Sequence, residues 1–199
     1  MWLVVFFGAA VLVALTPGAN NLLGMHHAVH HGALKAVTAL VGRLFAFALM
    51  IVAVVAGLGP VLAASTAALT VIKWLGVAYL VYLAARIFFT PSQASSAPKR
   101  GNPLRKEFLV AITNPKALLI FTAFVPQFVD PARGSVQAQL VVLGAVYLAA
   151  EVLAGAGYVT VGAIIRRADL SARARRRLDQ GTGTLLLGMA GVLATSATR

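Results

Sequence analysis

The chain has 199 residues, 60% of them hydrophobic and 11% charged, with a mean hydropathy of +0.88. Soluble domains are about 45–50% apolar and about 25% charged, so an ordinary water-soluble globule is excluded. Seventeen Lys and Arg against five Asp and Glu give a net charge of +12. These charges sit between apolar runs, which points to anionic lipid on the cytoplasmic side rather than to nucleic acid. The absence of cysteine removes disulfides, thiolate chemistry and Cys-ligated metal.

About 119 apolar residues, at roughly 20 per crossing, allow six helices. From the amino end, long apolar stretches predict an all-α membrane protein with spans at about Trp2–Met25, Ala36–Leu62, Ala67–Phe89, Phe108–Val125, Gln139–Ile165 and Gly181–Ala197. No Lys or Arg precedes the first stretch and it runs past a signal-peptide core in length, so a retained helix is expected.

The first span is interrupted by Leu15-Thr16-Pro17-Gly18-Ala19-Asn20-Asn21, and the fourth by Ile112-Thr113-Asn114-Pro115-Lys116. Proline removes an amide proton and clashes with the preceding turn, and in lipid the freed carbonyls need partners inside the protein. Asn114 before Pro115 reads as a helix cap followed by proline at the first helical position, and Thr16 before Pro17 is expected to repeat that arrangement. Each restart would aim the positive end of a helix dipole into the membrane, where it suits a carboxylate. The alternative is that both prolines only kink packing helices.

Between the first two spans lie His26, His27, His30 and His31, two i, i+4 pairs whose spacing can chelate Zn²⁺, Ni²⁺ or Co²⁺. No carboxylate is near them in sequence. Metal binding, pH sensing and a solvated positive rim are all open readings. Arg43 lies within the second span, long enough to snorkel toward the cytoplasm.

The segment 91–106, rich in Pro, Ser and Gly at its start, reads as a cytoplasmic linker between a first repeat (about 1–90) and a second (about 107–199). Within the fifth span Glu151 is surrounded by apolar residues; an intramembrane acid calls for a partner or a function, and it is the candidate for proton coupling. Tyr158 follows two turns later on the same face, able to touch substrate or a neighbouring carbonyl, and Gly155 and Gly157 keep that face thin. Lys116 adds a second cation, leaving one net positive charge among Arg43, Lys116 and Glu151 for a substrate carboxylate to balance. A structural Lys116–Glu151 bridge is the competing reading. The stretch Ser171–Leu178 is either a topology determinant or a short basic helix on the inner leaflet.

Twelve basic residues fall after spans one, three and five: Lys35; Arg86, Lys99, Arg100, Arg105 and Lys106; Arg166, Arg167, Arg173, Arg175, Arg176 and Arg177. Lys73, Arg133 and Arg199 fall on the other side, so both termini are expected outside, with Trp2 and Trp74 near the outer interface. Thr16 and Asn114 are 98 positions apart, and three spans per half make the second half insert upside down. Paired interrupted segments in inverted repeats point to a transporter's midplane site.

These segments resemble the two signature regions of the LysE/RhtB family of bacterial amino-acid exporters: Thr16-Pro17-Gly18-Ala19-Asn20, and Asn114-Pro115-Lys116-Ala117 leading to Phe121 and Pro126-Gln127-Phe128. The likeness runs on through Gly42, Gly57, Lys73, Gly76, Tyr79, Tyr158, Gly183, Gly188 and Gly191. Three positions depart from the usual pattern: Ala19, Arg43 and Ala46. The resemblance implies proton-coupled export of amino acids or related small amines across the cytoplasmic membrane.

The expected function is therefore secondary export of a small zwitterion, with Thr16, Pro17, Gly18, Asn20, Asn21, Asn114, Pro115, Lys116 and Tyr158 around the substrate and Glu151 carrying the proton. No cofactor is expected, and the reading admits a homo-oligomer. The alternative function is a divalent metal-ion exporter using the four histidines. An intramembrane enzyme lacks an HExxH, GxSxG or Asp-pair signature, and a scaffold gives no reason for two broken helices.

Overall fold

The computed structural model describes residues 2–57, 66–89, 102–168 and 171–195. Among them all regular structure is helical, in eight α-helices. They are α1 (Trp2–Leu15), α2 (Ala19–His31), α3 (Ala33–Val55), α4 (Thr66–Phe89), α5 (Pro103–Ile112), α6 (Pro115–Leu119), α7 (Val136–Arg167) and α8 (Ala172–Thr195). A π turn (Ile120–Phe124) and 3₁₀ turns (Val125–Phe128, Pro131–Arg133) continue α6 toward α7. Of the linker expected at about 91–106, residues 91–101 lie outside the described residues, as do the ends of spans two and six beyond Gly57 and Thr195. Residues 103–106 are not linker but the first turn of α5, started by the Asn102 cap and Pro103.

Helices α3 and α7 are each long and apolar enough to cross a membrane, and counting each bent pair as one crossing raises the number to four among the described residues. Those pairs are α1 with α2, bent by 64°, and α5 with Lys116–Phe128, bent by 56°. The bends fall at the Thr-Pro-Gly and Asn-Pro segments. The basic stretch after Ser171 is the opening of α8 itself and no separate surface helix. Ser171 Oγ accepts from the Ala174 amide at 3.3 Å, and with no proline before Gly181 the helix runs on without a break.

Helix α7 packs against α1, α2 and α3, while α3 also runs along α5 and α4 pairs with α8. One apolar core gathers Phe6, Phe47, Phe121, Leu143 and Tyr147; a second gathers Leu22, Leu80, Leu83 and Leu186. Two close approaches need glycine: a Cβ on Gly42 would stand 2.1 Å from the Leu104 carbonyl oxygen, and one on Gly162 2.5 Å from that of Met25. Large apolar side chains such as Val4, Leu12, Leu34, Val52, Phe89 and Val192 point outward. That surface suits lipid rather than water.

Before α7, Asp130 caps the last 3₁₀ turn through the Ala132 amide and holds Arg133 at 2.8 Å. The Arg133 hydrogen bond, then that of the Ala132 amide, keeps the exposed Asp130 carboxyl below its ordinary range. Arg133 also lies 5.8 Å from the centre of the Trp2 ring.

Candidate functional site

The two breaks meet. Helix α1 ends at Leu15 and leaves carbonyls without intrahelical partners, which side chains from three other helices satisfy. Lys116 Nζ donates to the carbonyls of Val13 and Thr16, both at 2.8 Å. Asn21 Nδ2 donates to Ala14 at 2.8 Å and to Thr16 at 3.3 Å, and the Tyr158 hydroxyl donates to Leu15 at 3.0 Å. Of the two expectations for Tyr158, the neighbouring carbonyl is the one observed. Lys116 does not bridge to Glu151; its ammonium caps the negative end of α1, a favourable use of a cation.

The caps differ between the breaks. Asn114 Oδ1 accepts from the Lys116 amide at 3.0 Å with Pro115 at the first position, as its sequence predicts. Thr16 does not repeat this: its hydroxyl donates back to Leu12 O at 3.0 Å, and α2 starts after Gly18 with no side-chain cap. The two residues between Thr16 and Ala19 move the restart beyond the threonine's reach. Asn114 Nδ2 then donates to Asn20 Oδ1 at 3.0 Å, joining break to break.

Arg43 occupies the centre, with a side chain 1% exposed. Its Nε donates to Glu107 Oε2 at 3.0 Å; its Nη1 donates to Glu151 Oε1 and to Asn21 Oδ1, both at 2.9 Å; its Nη2 donates to the Asn20 carbonyl. The snorkelling read from its sequence is therefore corrected: two carboxylates and the break of the first span hold the guanidinium inside. Asn20 Nδ2 adds bonds to Glu107 O at 3.1 Å and Oε2 at 3.0 Å, and Tyr147 donates to Glu151 Oε2 at 3.4 Å. Such a network is favourable only when its members are paired, since a lone buried charge costs several kcal/mol.

Glu107 changes the charge balance inferred from sequence. Arg43 and Lys116 are matched by Glu107 and Glu151, so the formal charges of these four residues cancel and no surplus cation awaits a substrate carboxylate. The apolar stretch taken as the fourth span begins at Phe108 and leaves Glu107 just outside it. A stronger signal was present in Asn102-Pro103, the same cap-and-proline pair as Asn114-Pro115: Asn102 Oδ1 accepts from the Leu104 amide at 3.1 Å and starts α5 early enough to bury Glu107. Tyr147, also missed, is one turn before Glu151 on the same face.

A cavity of about 20 Å³ opens at this junction, its wall including Asn20, Asn21, Asn114, Lys116, Tyr147 and Glu151. That is room for about one water. Gly18 also reaches it, with Lys116 Cδ and Nζ 3.7 Å from where its Cβ would be. Pro17 lies in the turn between α1 and α2.

The histidines are all in α2 and divide into two faces. His27, 1% exposed, has both ring nitrogens buried with no hydrogen-bond partner among the described residues, and its ring lies 5.6 Å from that of His31. His26 and His30 face α8, where Asp179 Oδ1 stands 2.5 Å from His30 Nε2 and 3.5 Å from His26 Nδ1. The histidines therefore do have a carboxylate beside them. It comes from a helix some 150 positions away, His30 and Asp179 being 149 apart in the chain.

Comparison with known proteins gives a consistent picture. A membrane protein of Vibrio cholerae named only as uncharacterized is 31% identical over 98% of this chain and 97% of its own length. The homoserine/homoserine lactone efflux protein of Salmonella typhimurium is 27% identical over 98% and 97%, and the leucine efflux protein of Enterobacter sp. 23% over 94% and 92%. No solved structure matches. The family profile described as LysE type translocator matches residues 11–197, and the chain belongs to that family.

Proposed function

We propose that this protein is a secondary exporter of amino acids or closely related small zwitterions in a bacterial cytoplasmic membrane, working by proton antiport with alternating access. The observation that carries the reading is the junction of two broken helices at the buried Arg43–Glu107–Glu151 network. Relatives named for efflux of homoserine and its lactone and of leucine support the substrate class.

In this reading the chain makes six crossings as two inverted three-span repeats, with both termini outside. The Trp2–Arg133 contact supports placing these two residues on the same side of the membrane, and the charge bias of the loops makes that side the outer one. The substrate carboxylate meets Lys116, which spends two of its three donors on Val13 and Thr16 and keeps one for a ligand. The start of α2 contributes the positive end of its dipole, and the substrate ammonium faces Glu151. A site without net charge suits a zwitterion, which carries none. A cavity of about 20 Å³ is several times too small for an amino acid, so binding belongs to a more open state reached by rocking the repeats. Protonation of Glu151 competes with its bond to Arg43 and couples the proton to that motion.

The test is transport in proteoliposomes. An imposed pH gradient should drive labelled leucine or homoserine against its concentration gradient, and a proton ionophore should abolish the accumulation. Transport insensitive to the pH gradient would overturn the antiport, and failure to move any amino acid would overturn the substrate class.

A further inference from the structure

We propose that His26, His30 and Asp179 form a binding site for a divalent transition-metal ion, one that clamps the far end of α2 to the start of α8 and stands apart from the transport cavity. The two histidines are one turn apart on α2 with ring centroids 4.4 Å apart. One ligand atom from each of the three residues lies within 4.8 Å of the others. The side chains are 18%, 24% and 12% exposed, sheltered enough to exclude bulk water yet open to an entering ion.

The two edges to Asp179 lie within about 0.8 Å of those of a tetrahedral site. Metal bonds of about 2.0–2.1 Å put neighbouring ligand atoms about 3.3 Å apart. His26 Nδ1 and Asp179 Oδ1 are already 3.5 Å apart. His30 Nε2 and Asp179 Oδ1, now hydrogen-bonded at 2.5 Å, need to open by about 0.8 Å as the proton gives way to the metal. Two imidazoles and one carboxylate favour Zn²⁺, Co²⁺ or Ni²⁺ over Ca²⁺ and Mg²⁺, which take oxygen ligands. A solvent molecule completes the fourth position. The positive charge of Lys106 is felt at His26 and opposes a cation; the Asp179 carboxylate offsets it.

The site lies about two helical turns beyond Asn20, the residue at which the breaks meet. It joins the second half of the interrupted first span to α8, so an ion bound there stiffens α2 without entering the transport path. It is consequently a regulatory or structural site, and metal is not the cargo. It does not depend on the identity of the exported solute.

The experiment is Co²⁺ and Zn²⁺ titration of the full chain, purified without a histidine tag and held in detergent. One Co²⁺ per chain with the intense visible absorption of a tetrahedral complex, displaced by one Zn²⁺, is expected. Asp179→Asn and His30→Ala should each weaken Zn²⁺ binding at least about tenfold, whereas His31→Ala, on the other face of α2, should leave it unchanged. Asp179→His restores a ligand and should recover the absorption, which separates loss of coordination from loss of fold. Absence of stoichiometric binding in the wild type, a weak octahedral spectrum, or equal affinity in Asp179→Asn would each overturn the site.

Discussion

Asn114 donates a hydrogen bond of 3.0 Å to Asn20 across 94 positions of sequence, tying the restart of one broken helix to the restart of the other. The same Asn114 side chain caps α6 through its other atom, accepting from the Lys116 amide. One side chain therefore shapes the second break locally and locks it to the first.

Asn114→Ala removes both bonds. Loss of a cap costs about 1 kcal/mol, and the bond to Asn20 about 1 kcal/mol more. A lower thermal unfolding midpoint in detergent is expected, together with a transport loss larger than that produced by Asn102→Ala, which removes a cap but no contact between the breaks.

Arg43→Met is the most damaging single change expected at the network, because it leaves Glu107 and Glu151 buried without their cation. Breaking a buried pair in this way costs about 3–5 kcal/mol. Adding Glu107→Gln and Glu151→Gln to Arg43→Met should recover much of the folded, monodisperse yield, which size-exclusion chromatography reports. Arg43→Lys should not rescue, since an ammonium cannot reproduce a fork serving Glu107, Glu151, Asn21 and Asn20 together.

Glu151 and Glu107 share Arg43 but differ in setting: only Glu151 lines the cavity. Glu151→Gln is expected to lower transport driven by a pH gradient at least about tenfold, or about 1.4 kcal/mol, and to flatten its pH dependence. Glu107→Gln should lower the unfolding midpoint while leaving a pH-dependent rate. Flux measured in proteoliposomes over a range of internal pH distinguishes them, and unchanged flux in Glu151→Gln removes Glu151 from the coupling.

Two glycines make a packing contrast. Gly42→Ala drives a Cβ to 2.1 Å from the Leu104 carbonyl and must push α3 and α5 apart, at a cost of about 1–3 kcal/mol or more. Gly157→Ala meets nothing within 4 Å, so it should be neutral or gain up to about 1 kcal/mol from helix propensity. Unfolding midpoints of the two variants test this. The expectation that Gly155 and Gly157 both thin the α7 face holds for Gly155 alone, where a Cβ would stand 2.9 Å from Leu40.

The interruptions at Thr16–Gly18 and Asn114–Pro115 and the helical character of the chain were legible in sequence, because proline chemistry, caps and apolar run length act through the backbone within a turn or two. That Arg43 and Glu151 fall within apolar runs was legible for the same reason, since a charge there stands out against its neighbours; that Arg43 stays inside instead of snorkelling was not. Nor was what each charge touches. Arg43 is 64 positions from Glu107 and 108 from Glu151, and His30 is 149 from Asp179. The first pairing depends on how closely α3 approaches α5, a distance that Gly42 permits, and the others on how the faces of α3 and α7 and of α2 and α8 meet. Sequence determined which residues had to find partners inside an apolar interior. Tertiary packing decided who those partners are, because desolvation makes a partner necessary while only the crossing of helices supplies one.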